Sequence, residues 1–477
     1  MRILLWFRKD LRLDDHTALD EAARDARGDV VPFYTSEPSR LARGDTAPAR
    51  VRFVLESLAD LAAAIERLGS RLALDHGEAQ ITVPRAALAA RADAVYWNDE
   101  YEPAQRARDD AVERALRARG IAVRRFHDRL LAPPGAVMTR DRRPFVVFTP
   151  FARAAARLPS PRPRPPAARL ASHDLPARAP ATLERLGFRE PVSARWPGGA
   201  GAARARLERF VEHGLARYAA HRDQPAAGAG SRLSADLGFG TLSVRTVLAA
   251  VRAAAADDPR LETAVRTFTS ELRWRDFYAH VLFHFPHVER GAFRREYDAL
   301  EWTGVPAHFD LWTAGRTGYP LVDAGMRELT STGLMHNRVR MVVASFLTKD
   351  LLLDWRLGER HFMRHLVDGD LASNNGGWQW AASTGTDAQP HFRIFNPTLQ
   401  GERFDPEGAY VRRWVNELAG LPPRFVHRPH EAPGGAPGYP RPIVDHAVQR
   451  ERALAMYGRT GRSESGPQPM AKSHEIS

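Results

Sequence analysis

The first 126 residues alternate short apolar runs with longer amphipathic segments, and this alternation restricts the fold more than any other feature of the chain. Such an order is typical of parallel strands joined by crossover helices. Apolar residues recur at helical spacing from Val51 to Leu68, and Arg106 to Arg119 is a second amphipathic segment. Five runs fit buried parallel strands: Ile3 to Phe7, Val30 to Tyr34, Arg71 to Leu74, Ala94 to Trp97 and Val123 to Phe126. The pattern predicts a doubly wound α/β domain over residues 1–130.

No Gly-x-Gly-x-x-Gly loop follows the first predicted strand, so a pyrophosphate site of the NAD type is not expected there. Residues 131–202 are rich in proline and arginine, a composition that favours an extended interdomain linker. Residues 203–458 show helical periods with few strand-like alternations, which predicts a mostly α-helical second domain. Residues 459–477 are polar, with glycine, serine and proline, and we expect a disordered tail.

The charge balance favours an anionic partner. Lys and Arg number 69 and Asp and Glu 57, which gives a formal net charge of +12. This excess suits nucleic acid, although an Arg-rich genome also produces basic proteins, so charge alone does not decide. Cysteine is absent, which excludes disulfides and thiolate metal sites and favours a reducing cytoplasm. We expect no metal site, and no apolar run is long enough to predict a membrane span.

One short run, Asp368 to Asp387, combines acids, amides, glycines and two indoles. Asp370, Asn374 and Trp378 are four residues apart, so a helix would align them on one face. Glycines let a planar ligand approach the backbone, and Asp or Asn side chains can bond the imide edge of a flat heterocycle. Core packing is the ordinary explanation for a single tryptophan, but it does not explain this mixture of residues.

Two further segments place polar and aromatic residues together at helical spacing. Either face alone also fits a solvated helix with an occasional buried aromatic, but both resemble the walls of a pocket. A weaker signal lies at Gly230 to Ser234, whose hydroxyls and amides suit a phosphate but also suit an ordinary loop. The two faces consist of Glu271, Trp274, Arg275 and Tyr278, and of Leu334, Asn337, Arg338 and Met341.

Taken together, these segments resemble the photolyase and cryptochrome flavoprotein family, and within it the microbial class I cyclobutane pyrimidine dimer photolyases. The resemblance runs from Leu5-Trp6-Phe7-Arg8-Lys9-Asp10 to Asn396-Pro397 and is densest from Thr317 to Asp387. It implies an α/β antenna domain with a doubly wound parallel sheet, a wrapping linker, and a mostly α-helical domain that binds FAD beneath a DNA-facing cavity.

The resemblance also implies which residues hold FAD, whose working form is the reduced anion. It makes Arg340 the salt-bridge partner of Asp368 and places Asn374 beside flavin N5, where plant cryptochromes carry an acid. Gly230 stands where the family usually has a threonine, which removes one hydroxyl contact. The implied cofactor set is Tyr218, Ser231, Arg232, Leu233, Ser234, Phe268, Arg275, Arg340, Asp368, Asp370 and Asn374.

Roles on the substrate side follow from the same resemblance. His336 is followed by Asn337 rather than by a second histidine, which favours cyclobutane dimers over (6-4) photoproducts, and Leu334 replaces an expected tryptophan. The residues that contact the dimer are Glu271, Trp274, Asn337, Met341 and Trp380. The electron-transfer chain is Trp302, Trp355 and Trp378, and the DNA phosphates meet Arg222, Arg338, Arg393 and Arg403.

The implied function is light-driven repair of pyrimidine dimers by electron transfer from photoexcited reduced FAD, in a cytoplasmic monomer that binds UV-damaged DNA without sequence specificity. We expect association with the nucleoid when damage is bound. The alternative is a cryptochrome-type blue-light sensor that binds FAD and signals to a protein partner without repair. The neutral Asn374 and the short tail favour repair.

The antenna chromophore is left open by the sequence. Folate-binding members of the family have an Asn-Glu pair where this chain has Ala104-Gln105, and the facing loop carries Glu289-Arg290. Folate is therefore not favoured, and the site could hold a deazaflavin, a flavin or no antenna chromophore.

Overall fold

The sheet of the α/β domain has five parallel strands in the order β3-β2-β1-β4-β5 within the part of the chain that is described. The computed structural model describes residues 1–37, 44–159, 161–167, 169–178, 180, 182–188 and 196–460. Ile3 pairs with Val30 on one side and with Ala94 on the other, which sets the register of the central strand. The strands are β1 (Ile3–Phe7), β2 (Val30–Ser36), β3 (Ala73–His76), β4 (Ala94–Asn98) and β5 (Ala122–Phe126).

Helices cover both faces of this sheet, which confirms the predicted doubly wound architecture. Alternate residues of β1 explain the two layers, since Leu4 and Trp6 face one side and Ile3, Leu5 and Phe7 face the other. The first face packs against α3 and α4, and the second packs against α1 and α2. The helices are α1 (Thr17–Asp25), α2 (Pro48–Arg67), α3 (Ala79–Ala89) and α4 (Pro103–Arg117).

The last strand departs from the prediction of a buried strand. In β5, Ala122 and Arg124 are exposed and the remaining residues are half-buried. The strand lies at the edge of the sheet and pairs only with β4 among the described strands. Its two arginines pair with carboxylates of neighbouring elements: Arg124 with Asp25 of α1, and Arg125 with Asp99, which follows β4.

The segment expected as a linker is not wholly extended. It contains α5 (Phe148–Ala155), after which residues 161–167 have no regular secondary structure. The helical part begins with α6 (Ala200–Arg209), slightly before residue 203, and a π-helical turn at Phe210–Gly214 joins it to α7 (Leu215–His221). The last helix extends to Thr460, and the rest of the expected tail lies outside the described residues.

The C-terminal part is mostly helical, as predicted. Its helices pack around a buried cluster that includes Trp312, Val343 and Trp378. Within the described ranges, no helix combines the length and the apolar character that crossing a membrane requires. The remaining helices are α8 (Ser234–Phe239), α9 (Val244–Asp257), α10 (Glu262–His284), α11 (Ala307–Thr313), α12 (Pro320–Thr332), α13 (Asn337–Ser345), α14 (Trp355–His365), α15 (Leu371–Ala381), α16 (Pro397–Phe404), α17 (Ala409–Trp414), α18 (Pro423–Val426) and α19 (His446–Thr460).

A buried cluster of charges joins the two parts of the chain. Arg245 of α9 lies 2.8 Å from Asp15 Oδ1 and 2.7 Å from Asp128 Oδ1. Arg12 Nη2 lies 2.5 Å from the other oxygen of Asp128. Burial would raise the pKa of Asp128, but the charges of Arg12 and Arg245 outweigh it and hold that pKa well below its usual range. Asp128 therefore stays ionised at neutral pH. We call the group formed by Arg12, Asp15, Asp128 and Arg245 the interdomain ion cluster.

Asp276 of α10 anchors the start of the linker. Its Oδ2 accepts a hydrogen bond from the backbone N–H of Ala132 at 2.9 Å, while Oδ1 is buried and has no partner among the described groups. Burial raises the pKa of Asp276 to about 7, although the charge of Arg275 and the N–H groups of Leu131 and Ala132 act in the opposite direction. The carboxyl group therefore titrates near neutral pH in the folded protein.

Replacing Arg245 by methionine should lower the free energy of unfolding by about 3–5 kcal/mol, because Asp15 and Asp128 would each lose a buried partner. Urea unfolding followed by circular dichroism measures this change. The control is Arg260→Met, since Arg260 pairs with Asp258 on the surface and its side chain is 90% exposed. We expect that change to leave the free energy of unfolding at its wild-type value, because water screens an exposed pair. An equal effect of both substitutions would contradict the prediction.

Asp276→Asn should change how stability depends on pH. A raised folded-state pKa favours the protonated carboxyl group, so its contribution to stability is complete below the unfolded pKa and is lost as pH rises towards 7. The wild-type protein should therefore lose roughly 2 kcal/mol relative to the variant between pH 5 and pH 8. Unfolding curves at several pH values test this. The exposed Asp257→Asn is the control, and a pH-independent difference for Asp276→Asn would disprove the prediction.

Candidate functional site

A cavity of about 520 Å³ opens within the helical part of the chain. Its walls come from α7, α8, α10, α13 and α15 and from the C-terminal end of α14. Helices α10 and α13 both pack against α15, so residues far apart in the sequence meet around one space. The run from Asp368 to Trp380 and the two predicted pocket faces all contribute to this lining.

Most of the predicted site residues line the cavity together. Helical spacing explains this result, because residues three or four positions apart on α10, α13 and α15 share a face. The five residues predicted on the substrate side that line it are Glu271, Trp274, Asn337, Met341 and Trp380. The lining residues of the predicted cofactor set are Tyr218, Ser231, Leu233, Ser234, Phe268, Arg275, Arg340, Asp368, Asp370 and Asn374.

Of the residues predicted for the cofactor, the substrate, the DNA phosphates or the two pocket faces, four are not part of the lining. Arg232 is exposed, with a left-handed φ of 55°. Leu334 precedes α13, so it does not share the helical face of Asn337, and it packs instead against the cluster of Phe53 and Phe239. Arg393 and Arg403 are exposed outside the lining. Leu334 lies in a loop, and loop positions do not follow a helical period, which is why spacing misplaced it.

Two carboxylates enter the cavity from the turn between α14 and α15. Arg340 Nη2 lies 2.9 Å from Asp368 Oδ2, as the family resemblance implied. Asp370 caps α15 by accepting a hydrogen bond from the N–H of Ser373 at 3.0 Å. Burial would raise the pKa of Asp370, but the charges of Arg129, Lys9 and Arg275 outweigh it and lower that pKa. Asp370 is therefore an anion that can accept a hydrogen bond from a ligand.

Asn374 presents a defined end of its amide group to the cavity. Its Nδ2 donates to the backbone carbonyl of Glu359 at 3.1 Å. A carbonyl only accepts, so this bond assigns the nitrogen to the Glu359 side. The side-chain oxygen is then the atom left to accept a hydrogen bond from a ligand, as an N–H at the edge of a flat heterocycle would require.

Neighbouring glycines of α15 have different tasks. A Cβ added at Gly376 would overlap the ring of Tyr278, with Cγ at 2.7 Å, so Gly376 is needed for the packing of α15 on α10. Gly377 lines the cavity, and a Cβ there would meet nothing within 4 Å. Only the second glycine serves the predicted close approach of a ligand to the backbone.

The three tryptophans predicted as an electron-transfer chain belong to one buried region. Trp378 lines the cavity, Trp355 is buried, and Trp302 packs against the same cluster. Trp378 fits against Gly358 of α14, the helix that begins at Trp355. Among the described rings, Trp378 contacts Trp312 at a centroid distance of 6.1 Å, a neighbour that the sequence did not single out.

Each of the two predicted phosphate contacts that line the cavity is paired with an acid. Arg222 Nη1 lies 2.7 Å from Glu271 Oε1, so a residue predicted to meet phosphate holds a residue predicted to meet the substrate. Arg338 Nη2 lies 3.0 Å from Asp223, and its guanidinium lies 4.4 Å from the ring centroid of Phe404. The pairs fix the arginine side chains without removing them from the cavity, whose lining includes both.

Phe148 is a neighbour of the site that the spacing patterns did not identify. Its ring stacks on Trp274 with centroids 3.7 Å apart and planes 8° apart. Its backbone N–H donates to Asp387 Oδ2 at 3.0 Å. Phe148 is more than 100 residues from both partners, and no period connects such distant positions.

His336 does not line the cavity. Its Nδ1 accepts a hydrogen bond from the N–H of Arg338 at 3.2 Å and caps α13. Burial lowers the pKa of His336 to about 4, so the imidazole is neutral at pH 7. The histidine is therefore a structural cap and not a proton donor to the site.

The donor set of the cavity fits FAD. The charged pair of Arg340 and Asp368, the oriented amide of Asn374 and the open backbone at Gly377 suit the polar edge and flat face of an isoalloxazine ring. Ser231 and Ser234 add hydroxyl groups for a phosphate chain. Within the described part of the chain, no cluster of metal-ligating side chains suggests a metal instead.

Comparisons with known proteins agree with this chemistry. A family model described as "FAD binding domain of DNA photolyase" matches residues 268–459, and one described as "DNA photolyase" matches residues 3–168. A deoxyribodipyrimidine photo-lyase of Synechococcus sp. is 40% identical, and the alignment covers 98% of each chain.

Solved structures show the same similarity. A class III photolyase from Agrobacterium tumefaciens superposes with a TM-score of 0.89 at 40% identity, over 97% of this chain and 98% of that one. A cryptochrome from Synechocystis sp. superposes with a TM-score of 0.87 at 28% identity, over 95% of this chain and 99% of that one.

Gly376 and Gly377 lead to a prediction about stability, in which substitution of the second glycine is the control for substitution of the first. Gly376→Ala should lower the free energy of unfolding by about 1–3 kcal/mol, because the new methyl group overlaps Tyr278. Gly377→Ala should raise it by up to about 1 kcal/mol, since alanine favours the helix and the space is open. Urea unfolding of the FAD-free variants measures both changes. Equal effects of the two substitutions would contradict this account of the helix packing.

Proposed function

The chain belongs to the DNA photolyase family, and we propose that it repairs cyclobutane pyrimidine dimers in DNA with reduced FAD and light. In chemical terms it is a carbon–carbon lyase. The proposal rests mainly on one observation, the joint lining of a single cavity by the cofactor set and by the substrate set. A dimer that enters this cavity would lie next to the flavin.

When bound, reduced FAD supplies the electron that opens the cyclobutane ring after excitation, and the electron returns, so there is no net redox change. The protein holds and orients this group. Arg340 and Asp368 supply a fixed charge pair, Asp370 an anionic acceptor, and Asn374 a neutral acceptor beside the position proposed for N5. A neutral amide there avoids repulsion of an anionic cofactor.

The walls on the substrate side would hold the dimer by stacking and by hydrogen bonds. Trp274 and Trp380 offer aromatic faces, and stacking on such rings contributes about 1–3 kcal/mol per base. Phe148 holds the plane of Trp274. Glu271 is the acid proposed to contact the bases, with Asn337 and Met341 beside it. Photolyases are known examples of enzymes that flip their target out of the duplex. We infer that the dimer reaches this cavity in the same way.

Arg222 and Arg338 at the cavity mouth, with the exposed Arg393 and Arg403, are the proposed phosphate contacts. Phosphate contacts position DNA without reading its sequence, so affinity should fall with salt and be largely independent of sequence. A phosphate that replaces Glu271 as the partner of Arg222 would free that carboxylate to face the dimer. The binding of the backbone and the arrangement of the substrate site would then be linked.

Trp302, Trp355 and Trp378 are proposed as the path by which an electron from the surface restores the reduced cofactor. Trp355 and Trp378 are buried in one cluster and Trp302 packs against it, which supports this role. We propose that the protein is a cytoplasmic monomer that associates with the nucleoid while it is bound to damage.

The identity of the antenna chromophore stays a prediction. Next to Ala104-Gln105, Glu102 pairs with Lys9 at 2.5 Å, and the Arg106 guanidinium lies 4.0 Å from the ring centroid of Phe283.

Repair is favoured over the sensor function. A sensor would share the fold, as the likeness to a cryptochrome structure illustrates. Curated relatives at about 40% identity over nearly the full chain carry the name deoxyribodipyrimidine photo-lyase. The neutral side chain of Asn374, which lines the cavity, also supports repair, because the resemblance implies an acid at this position in plant cryptochromes.

The direct test uses an oligonucleotide with one thymine cyclobutane dimer, reduced protein, and blue light or darkness. We expect repair only in light. Glu271→Gln should reduce the repair rate at saturating DNA by about tenfold or more while FAD stays bound, since the loss of one charged contact of the transition state removes at least about 1.4 kcal/mol.

Glu262→Gln is the matched control for Glu271→Gln, because Glu262 is exposed in the first turn of the same helix. We expect the control to repair at the wild-type rate. Absence of light-dependent repair by wild-type protein that contains reduced FAD would exclude the proposed function. Wild-type repair by Glu271→Gln would exclude the proposed role of that carboxylate alone.

A further inference from the structure

The turn that carries Asp368 and Asp370 is held by an arginine from the other domain. Arg50 lies in the first turn of α2, and its Nε donates to the backbone carbonyl of Leu366 at 3.1 Å. Its Nη2 donates to the same carbonyl at 3.0 Å and also to the carbonyl of Met363. The arginine thus satisfies carbonyls at the C-terminal end of α14, where a helix lacks its own donors.

The shape of the turn fits the Arg50 guanidinium closely. A Cβ added at Gly369 would lie 2.7 Å from Arg50 Cζ, and so the residue between the two acids has no room for a side chain. Arg50 itself is not among the residues that line the cavity. It therefore supports the acidic turn from behind, and its positive charge lies near Asp368 and Asp370.

The other end of the turn is supported from the same direction. Arg129, which follows β5, places Nη2 3.5 Å from Asp370 Oδ2 and 3.2 Å from the carbonyl of Gly238. Asp370 Oδ1 meanwhile caps α15. The turn is thus held at the end of one helix by Arg50 and at the start of the next by Asp370 and Arg129.

We propose that Arg50 is a positioning residue of the FAD site, which holds the Leu366–Asp370 turn so that both carboxylates face the cavity. The inference rests on the proposed function, because it takes the cavity as the site of FAD. The proposed role of Arg50 means that the α/β domain has a second function besides any antenna role, because it forms a structural part of the cofactor site. Loss of the Arg50 guanidinium should loosen the hold on FAD without removing any group that touches it.

The test compares Arg50→Met, Arg50→Lys and Arg67→Met in the full-length chain after removal of FAD. Arg67 is an exposed arginine at the other end of α2 and serves as the matched control. Fluorescence titration with FAD gives the dissociation constant, and the absorption spectrum of bound FAD reports its surroundings. We expect about tenfold weaker binding and an altered spectrum for Arg50→Met, and wild-type behaviour for Arg67→Met.

Arg50→Lys retains the positive charge and one donor nitrogen. Its affinity for FAD should therefore lie between those of the wild type and Arg50→Met. The lysine variant also keeps the test available should Arg50→Met fail to fold. Wild-type affinity in both Arg50 variants would overturn the proposal. An unchanged spectrum of bound FAD would overturn it too, even with lower stability, since a role in stability alone leaves the surroundings of the flavin intact.

Failure of the proposed function would look different. Wild-type protein that binds no FAD, or that contains FAD and repairs no dimer, would count against the function. Wild-type protein that binds FAD and repairs dimers, together with Arg50 variants that titrate as the wild type does, would count only against the positioning role.

Discussion

The interdomain ion cluster determines how the two parts of the chain meet, and the cavity depends on that arrangement. Arg245, Asp15 and Asp128 are withdrawn from water, which costs free energy unless the geometry of the pairs is nearly ideal. A small rotation of one part against the other would break several of these bonds together. The cluster therefore favours one relative orientation, as non-directional apolar contacts alone would not.

The cavity lining comes from residues after position 217, but the arrangement of these residues depends on how the α/β domain docks. Docking of the α/β domain brings the first turn of α2 against the end of α14, where Arg50 meets the carbonyls of Met363 and Leu366. It also brings Arg129 to Asp370. The acids that suit the flavin thus depend on contacts made by a domain that does not itself line the cavity.

The sheet could be predicted because each strand and helix carries its own pattern. The runs at Ile3 to Phe7 and Val30 to Tyr34 alternate their contacts between two covered faces, so every position is apolar. An apolar run also predicts a buried strand at β5, and this prediction is wrong. The strand lies at the edge of the sheet and has a neighbouring strand on one side only. The sequence of a single strand does not show its place in the order, because the order depends on the packing of the other strands.

Spacing identified the residues of the site on helices and missed those that act through long-range contacts. Glu271, Trp274 and Arg275 share a face of α10, so one period places all three in the cavity. Leu334 lies before α13 begins, and the same period gave it a position it does not have.

Arg50 and Phe148 had no local signal at all. The first ends a run of polar and small residues, and the second lies within the proline- and arginine-rich segment expected as a linker. Each acquires its role only when a partner more than 100 residues away is folded against it. Helical periods can therefore indicate which groups face a ligand. The residues that hold those groups in place are determined by the docking of the domains, and a three-dimensional structure is needed to find them.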